Sequence, residues 1–316
     1  MKPVYLDHLS YALGEEVSTV QEAERLGRTL TTAAALQEVG FQKHCVCGPQ
    51  ETAYSLAVKA VRSMQEHLGE IDAVIYSTCI PLNGNAGDVS RFHETKDVKH
   101  LMDFPVSRLQ AEFGFDRAMI LGLTQQACTA MLSSIRVAQM LIKNESDICR
   151  VLCITADRFP EGALYEQAYN LISDGAAGCI VSTVRQGFRI IACHGITNGA
   201  MAFASDDETA SSYFSYSHRL IMETLAKAGL KLQDLQWFVP QNINTKAIRI
   251  LARLLKVSYD QFYFPTVGTA GHVISGDNII NLKRLVDDQK VNPGEYALLL
   301  MAGYGLNWQC IILEKQ

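Results

Sequence analysis

The sequence predicts an α/β protein assembled from two copies of one structural unit. Short apolar runs of strand length alternate with segments of helical periodicity along the whole chain. The same order of patterns occurs twice, with a change-over near residue 185. With 316 residues, 48% hydrophobic and 19% charged, the chain can bury one large core or two of ordinary size.

The opening "MKPVYLDHLSYALGEE" lacks the apolar centre and small-residue cleavage site of an export signal. No stretch approaches the ~20 apolar residues of a membrane span, so the expected compartment is the cytoplasm. "AYSLAVKAVRSMQEHLGEIDAVIYSTCI" (Ala53 to Ile80) reads as an amphipathic helix, an acidic turn and an apolar strand. Pro81 to Phe113 is polar and weakly periodic, a loop with short helices that covers a site or meets a second subunit. "RAMILGL" (Arg117 to Leu123) reads as a buried strand. After it, Met131, Leu132, Ile135, Val137, Ala138, Leu141 and Ile142 form a helical stripe. Cys128 therefore falls at or near a helix N-terminus, where unpaired N–H groups and the positive end of the dipole favour a thiolate. A cysteine taken alone is more often a small buried apolar residue. "CRVLCITADR" (Cys149 to Arg158) is a further strand, and "SDGAAG" (Ser173 to Gly178) a turn whose small residues allow close backbone approach.

The second half repeats this plan. "SHRLIMETLAKAGLKLQDLQWFVPQNI" (Ser217 to Ile243) is again helix, turn and strand. "VSYDQFYFPTVGTAGHVISGDNIINL" (Val257 to Leu282) is read as a strand running into a helix with His272 at its start, the counterpart of the Cys128 region. "EYALLLMAGYG" (Glu295 to Gly305) matches Cys149 to Arg158. The expected units are residues 1–185 and 186–316. Stacking them around shared central helices brings equivalent helix N-termini together, and with them Cys128 and His272. A cysteine beside a histidine is an activated nucleophile.

Composition excludes several classes. A net charge of −5 without a basic run argues against nucleic acid or an anionic membrane as partner. Nine cysteines, mostly inside apolar runs, fit reduced thiols better than a disulfide framework. The pair in "HCVC" (His44 to Cys47) has no second ligand pair at zinc spacing, so no metal is expected. No cofactor is expected either. His44, His93 and His100 read as surface residues.

From near residue 50 to the end, the chain resembles the ketosynthase III (β-ketoacyl carrier-protein synthase III-like) branch of the thiolase superfamily. "QQACTAML" surrounds the nucleophile, "SDGAAGCIV" matches a D-G-A-G-A turn, and "WFVPQNINTKAIRI" matches V-P-H-Q-A-N-x-R-I. "GTAGHVISGDNIINL" matches a G-N-T-S-A-A-S segment and "LLLMAGYGLNWQCIIL" a C-terminal G-G-G-F-x-W. The resemblance implies a thiolase-like fold of five layers, αβαβα, and a homodimer whose sheets join across the interface. It also implies an acyl-enzyme on Cys128, with backbone N–H groups of Cys128 and Tyr304 holding the oxyanion.

The departures from the family pattern are informative. The usual catalytic histidine is replaced by Gln241 and the usual asparagine by His272, while Asp277 stands where a small residue is common. The implied set is Cys128, His272 and Asp277, as in the subgroup that transfers acyl groups to alcohols in natural-product pathways. Asp277 either orients the imidazole or caps the helix. Gln241 either bonds the acceptor or fills space, and Asn244 either binds the acceptor or braces the local backbone. Ala34 and Glu38 occupy the positions of the family's coenzyme A-binding tryptophan and arginine, so a donor on an acyl carrier protein is favoured over free acyl-CoA. Lys246, Arg249 and Arg253 lie on the helix that would dock that acidic carrier, although a merely solvated face has the same composition. The expected function is transfer of an acyl group to a small hydroxyl or amine acceptor. The alternatives are a condensing ketosynthase of fatty acid or polyketide synthesis, and a non-catalytic thiolase-fold partner subunit.

Overall fold

The computed structural model describes residues 2–316 except 86, 169, 202, 305 and 306. Tyr169 of the "ALYEQAYN" stretch and Gly305 and Leu306 of the C-terminal motif thus lie outside the described residues. The strands in chain order are β1 (Tyr5–Leu13), β2 (Glu16–Thr19), β3 (Lys43–Val46), β4 (Ala73–Ser77), β5 (Met119–Leu123), β6 (Arg150–Asp157) and β7 (Glu166–Gln167). They continue with β8 (Asn170–Leu171), β9 (Gly175–Ser182), β10 (Phe188–Thr197), β11 (Leu235–Pro240), β12 (Tyr296–Gly303) and β13 (Asn307–Lys315). Nine of them form one mixed sheet in the order β11-β12-β13-β10-β1-β9-β6-β4-β5, while β2-β3 and β7-β8 are small two-stranded antiparallel sheets. The order β1-β9-β6-β4 is repeated as β10-β13-β12-β11, and the two sets meet where β1 pairs antiparallel with β10.

Alternation along the strands explains the layers. In β6, Val151 and Cys153 pack inward against the helices Ala130–Asn144 and Asp277–Asp287, through Met131, Leu132, Ile135, Ile279 and Leu282. Leu299 and Met301 of β12 meet the same two helices from the other side. Leu152 and Ile154 of β6 pack outward on the helix Ala53–Arg62, through Leu56, Ala57 and Ala60. Leu298 and Leu300 of β12 pack outward on the helices Asp206–Ala228 and Thr245–Leu255, through Leu220, Leu225, Ile248 and Leu251. Strands apolar on both faces are thus covered on both faces, and the result is the five-layer αβαβα thiolase arrangement.

Four expectations are corrected. Arg117 to Leu123 carries strand β5, but at the open edge of the sheet that strand is exposed or half-buried rather than buried. Val257 to Phe264 does not form a strand. Ser258 and Gln261 make a capping box around the 3-10 turn Tyr259–Gln261, and only a single bridge, Phe238↔Phe262, joins the segment to β11. Local side-chain bonds compete with the ladder, and Pro265 cannot donate to it. His272 is not at a helix start, because the α-helix begins at Asp277. Gly271 (φ 62°, ψ −156°) and Ile274 (φ 45°) break the helical path between them. His44 is fully buried rather than at the surface, with Nδ1 2.9 Å from the Ile172 carbonyl oxygen and its ring edge-on to Tyr165.

Candidate functional site

Cys128 lies in a 3-10 turn, Ala127–Thr129, that leads directly into the helix Ala130–Asn144. The turn is reached through two non-glycine residues in the left-handed region, Gln125 (φ 63°) and Ala127 (φ 47°). Such positions are costly and signal a functional constraint. The second half has the same construction, with the 3-10 turn Ile274–Gly276 before the helix Asp277–Asp287 and Ile274 at φ 45°. The position equivalent to Cys128 is therefore Ser275, not His272. Ser275 Oγ donates to the Ala127 carbonyl (3.2 Å), so the two turns are in direct contact.

His272 reaches the sulfur by another route. Its backbone forms a bridge with the segment before β9: His272 N donates to Leu171 O (2.8 Å) and Ser173 N donates to His272 O (2.9 Å). Gly271 is obligatory there, since a Cβ would stand 2.7 Å from Leu171 O. The ring is then held with Nε2 3.4 Å from Cys128 Sγ and Nδ1 2.5 Å from Asp277 Oδ2. Asp277 is fully buried and accepts two further bonds, from Asn242 N at Oδ2 and Val273 N at Oδ1, both 2.7 Å. Three donors hold this carboxyl group in one orientation. Burial disfavours the charged imidazole, but the Asp277 carboxylate and Cys128 outweigh it and raise His272 to about 10. The Cys79 thiol facing Cys128 and the His272 ring hold the Cys128 thiol well below its ordinary value, against the opposing effect of burial. Both shifts favour a thiolate beside an imidazolium.

The other sequence-predicted residues fall around this pair. Gly303 packs against Cys128, its Cβ direction 3.1 Å from Cys128 N, which places the chain at Tyr304 beside the nucleophile. Tyr304 lines the cavity and is half exposed. Gln241 also lines it, with Oε1 accepting from Ala302 N at 2.5 Å. Asn244 Oδ1 caps its own helix at Lys246 N (2.9 Å), and its backbone N donates to Asn170 Oδ1 (2.9 Å). Lys246, Arg249 and Arg253 are exposed on the helix Thr245–Leu255, whose first turn reaches the cavity rim through Ala247. Lys246 pairs with Glu38 (2.6 Å) and Arg249 stacks 4.1 Å over Tyr259.

Sequence reasoning missed three residues. Cys79, at the end of the parallel strand β4, lines the cavity beside Cys128, and its thiol is pushed up chiefly by Cys128. The carboxyl ends of parallel strands are where α/β sites assemble, which is the signal available for it. Asp157, at the end of β6, holds that turn: its carboxylate accepts from Cys79 N (3.0 Å) and Ile80 N (2.9 Å). Asn242 is fully buried; its Nδ2 donates to Gly271 O (2.7 Å) and Thr266 Oγ1 (2.8 Å), and its Oδ1 accepts from Asn281 (2.9 Å). It braces Asp277 and the residue before His272 together. Among the described residues no group of three or more His, Cys, Asp or Glu side chains is placed to hold a metal ion, and no helix is long and apolar enough to cross a membrane.

A five-layer αβαβα chain with a helix-terminal cysteine facing a histidine defines a thiolase-fold protein. The family profile for 3-oxoacyl-[acyl-carrier-protein] synthase III matches residues 124–199, and the profile for its C-terminal part matches residues 225–315. The β-ketoacyl-[acyl-carrier-protein] synthase III of Chlamydia pneumoniae is 24% identical, over 87% of this chain and 86% of that protein. The solved β-ketoacyl-[acyl carrier protein] synthase III of Thermus thermophilus superposes with a TM-score of 0.82 at 21% identity, covering 98% of both chains. ChlB3, described as an acyltransferase, also gives 0.82, at 15% identity, over 99% of this chain and 98% of its own. The chain belongs to the ketosynthase III-like family of the thiolase superfamily, a family of transferases.

Proposed function

We propose that the protein is an acyltransferase that moves an acyl group from a carrier-protein thioester, through a Cys128 acyl-enzyme, to a hydroxyl or amine acceptor. The observation that carries this reading is the chain Cys128 Sγ–His272–Asp277, in which a buried carboxylate backs the imidazole. The Cys128 thiolate attacks the thioester carbonyl, with backbone N–H groups of Cys128 and Tyr304 as the oxyanion donors. The leaving thiolate takes the proton of the His272 imidazolium, which leaves a neutral ring facing the acyl-enzyme. His272 Nε2 then accepts the acceptor's proton as the acceptor attacks the carbonyl. Collapse of the second intermediate expels Cys128 and restores the thiolate–imidazolium pair. A base backed by a carboxylate suits this half-reaction better than it suits decarboxylation, where two neutral donors stabilise an enolate.

The exposed cations Lys246, Arg249 and Arg253 by the cavity rim support a carrier-protein donor. Edge strand β5 is apolar but half exposed, and supports a homodimer joined through that edge. The same reading treats residues 1–185 and 186–316 as the duplicated halves, and places the protein in specialised-metabolite synthesis in the cytoplasm.

The relatives' name favours a second reading, in which the acyl-enzyme ends in carbon–carbon bond formation. Incubation with acylated carrier protein, malonyl carrier protein and a panel of alcohols and amines separates the two by mass spectrometry. Esters or amides without carbon dioxide release support acyl transfer, and a β-keto product with carbon dioxide release overturns it.

A further inference from the structure

Cys128 does not face His272 alone. Cys79 lines the same cavity, and both cysteines pack against one apolar cluster that includes Phe159, Ile172 and Ile274. Both are half-buried. Their meeting follows from the sheet. β4 and β5 are neighbouring parallel strands in register at Ser77↔Leu123, and Thr78 N donates to Leu123 O (3.2 Å), which carries the pairing one residue further. Each segment then leaves its strand at the carboxyl end. The Asp157 carboxylate fixes the first by accepting from Cys79 N (3.0 Å) and Ile80 N (2.9 Å), and the left-handed residues Gln125 and Ala127 fix the second. The Cys79 thiol thereby faces the Cys128 sulfur, and the hydrogen bond between them is the main cause holding the Cys128 thiol down.

A second cysteine pair shows what sets the first apart. Cys153 and Cys179 stand directly opposite each other across the antiparallel strands β6 and β9. Both are fully buried in the central core, and burial pushes the Cys179 thiol well up. That pair is closed to solutes and has no neighbouring cation to favour a thiolate. Cys128 combines a depressed thiol with a place on a cavity wall. A thiolate reacts with hydroperoxides, and the sulfenic acid it forms condenses with an adjacent thiol. The Cys79 thiol is held up chiefly by the Cys128 sulfur. Oxidation of Cys128 to a neutral sulfenic acid removes that negative charge, so the first step frees the second thiol to react.

We propose that Cys79 is a resolving cysteine, and that hydroperoxides convert the pair to a Cys79–Cys128 disulfide, a reversible oxidised state with the nucleophile blocked. The Cys128 thiolate attacks one peroxide oxygen and the O–O bond breaks. The leaving oxygen takes the His272 proton and departs as water or an alcohol. The Cys79 sulfur then attacks the Cys128 sulfur, the S–O bond breaks, and the expelled hydroxide departs as water with the Cys79 proton. The two sulfurs are oxidised and the peroxide is reduced. Two molecules of a small thiol restore both cysteines and become that thiol's own disulfide. The step needs Cys128 as a thiolate, but does not depend on what the acyl-enzyme reacts with.

The test uses the whole protein, reduced, freed of reductant and kept in excess hydrogen peroxide. In the wild type the intact mass should fall by two hydrogens, and a non-reducing digest should yield the Cys79 and Cys128 peptides joined. Loading of a hexanoyl group from its N-acetylcysteamine thioester should be lost, and dithiothreitol should restore it. In Cys79→Ser, Cys128 should instead gain two or three oxygens, and dithiothreitol should restore none of that variant's own untreated loading. The proposal is overturned if wild-type Cys128 stays reduced, if it reaches the sulfinic acid unlinked, or if it joins only another cysteine such as the exposed Cys149. It is equally overturned if Cys79→Ser recovers as fully as the wild type. The joined peptides are read by mass, so they decide the proposal even where Cys79→Ser does not fold. Failure of the untreated wild type to load counts against the acyl-enzyme reading alone, and the digest still decides the disulfide.

Discussion

Replacing Asp277 by asparagine changes one oxygen to an amide nitrogen at the most constrained point of the site. The carboxylate accepts from His272 Nδ1, Asn242 N and Val273 N. A carboxamide has a single oxygen, so its NH₂ must confront at least one of these donors. With the oxygen kept toward His272 and Asn242, the clash falls on Val273 N–H, at ~1–3 kcal/mol of stability for an unsatisfied buried donor. The larger effect is on charge. His272 at about 10 rather than its ordinary 6.5 corresponds to ~5 kcal/mol in favour of the imidazolium. Asp277 is the strongest contributor raising it. Without that carboxylate the ring ionises less readily, Cys128 loses its cationic partner, and the tautomer with hydrogen on Nδ1 is no longer enforced. Transfer should fall by ~10²–10⁴-fold, and loading should become steeply dependent on pH below the ordinary thiol range of ~8.5. Quench-flow intact mass separates the burst of Cys128 acylation from steady turnover between pH 6 and pH 9. Transfer within roughly threefold of wild type across that range, in a variant shown to be folded by its melting curve, would falsify the triad.

Cys128→Ala should abolish covalent loading, and intact mass would reveal any persistent adduct on another cysteine. His272→Ala should lose transfer ~10²–10⁴-fold, far more than loading, so that the Cys128 thioester accumulates; equal losses in both steps would show that the ring serves mainly the thiolate. Because Cys128 is depressed and His272 raised, the charged pair spans the interval between them, and iodoacetamide should alkylate the wild type at a nearly constant rate from pH 6 to pH 8. In His272→Ala that rate should instead climb with pH, and a matching climb in the wild type would mean a neutral resting pair. Lys246→Glu should raise KM for an acylated carrier protein while leaving the N-acetylcysteamine thioester unaffected. The change is expected to be only severalfold, since Lys246 is exposed and already paired with Glu38; equal effects on both donors would remove the docking role. Sedimentation at micromolar concentration should give twice the mass of the chain, and a charge placed on the β5 edge by Met119→Lys should reduce it. A monomeric wild type would refute the interface.

Periodicity and punctuation determined much of this protein before any coordinates. Apolar runs such as "CRVLCITADR" are continuous because β6 is covered on both faces, and that pattern needs no tertiary information to read. The repeated order of patterns likewise announced the repeated strand order, because each pattern is local to its own segment. Cys128 was legible as a residue between a strand and a helix, and His272 and Asp277 by their match to a family segment. The sequence could not place His272 correctly, because its position follows from a bridge to Leu171 and Ser173, about a hundred residues away. Nor could it show that Ser275, not His272, is the duplicate of Cys128, since left-handed backbone at Ala127 and Ile274 has no signature in those side chains. Val257 to Phe264 had the composition of a strand, and a local capping box decided otherwise. Cys79, Asp157 and Asn242 matter through hydrogen bonds and contacts that span 24 to 78 positions. Such contacts exist only once the sheet has closed over the central helices, so only the tertiary structure brought Cys128, His272 and Asp277 into contact.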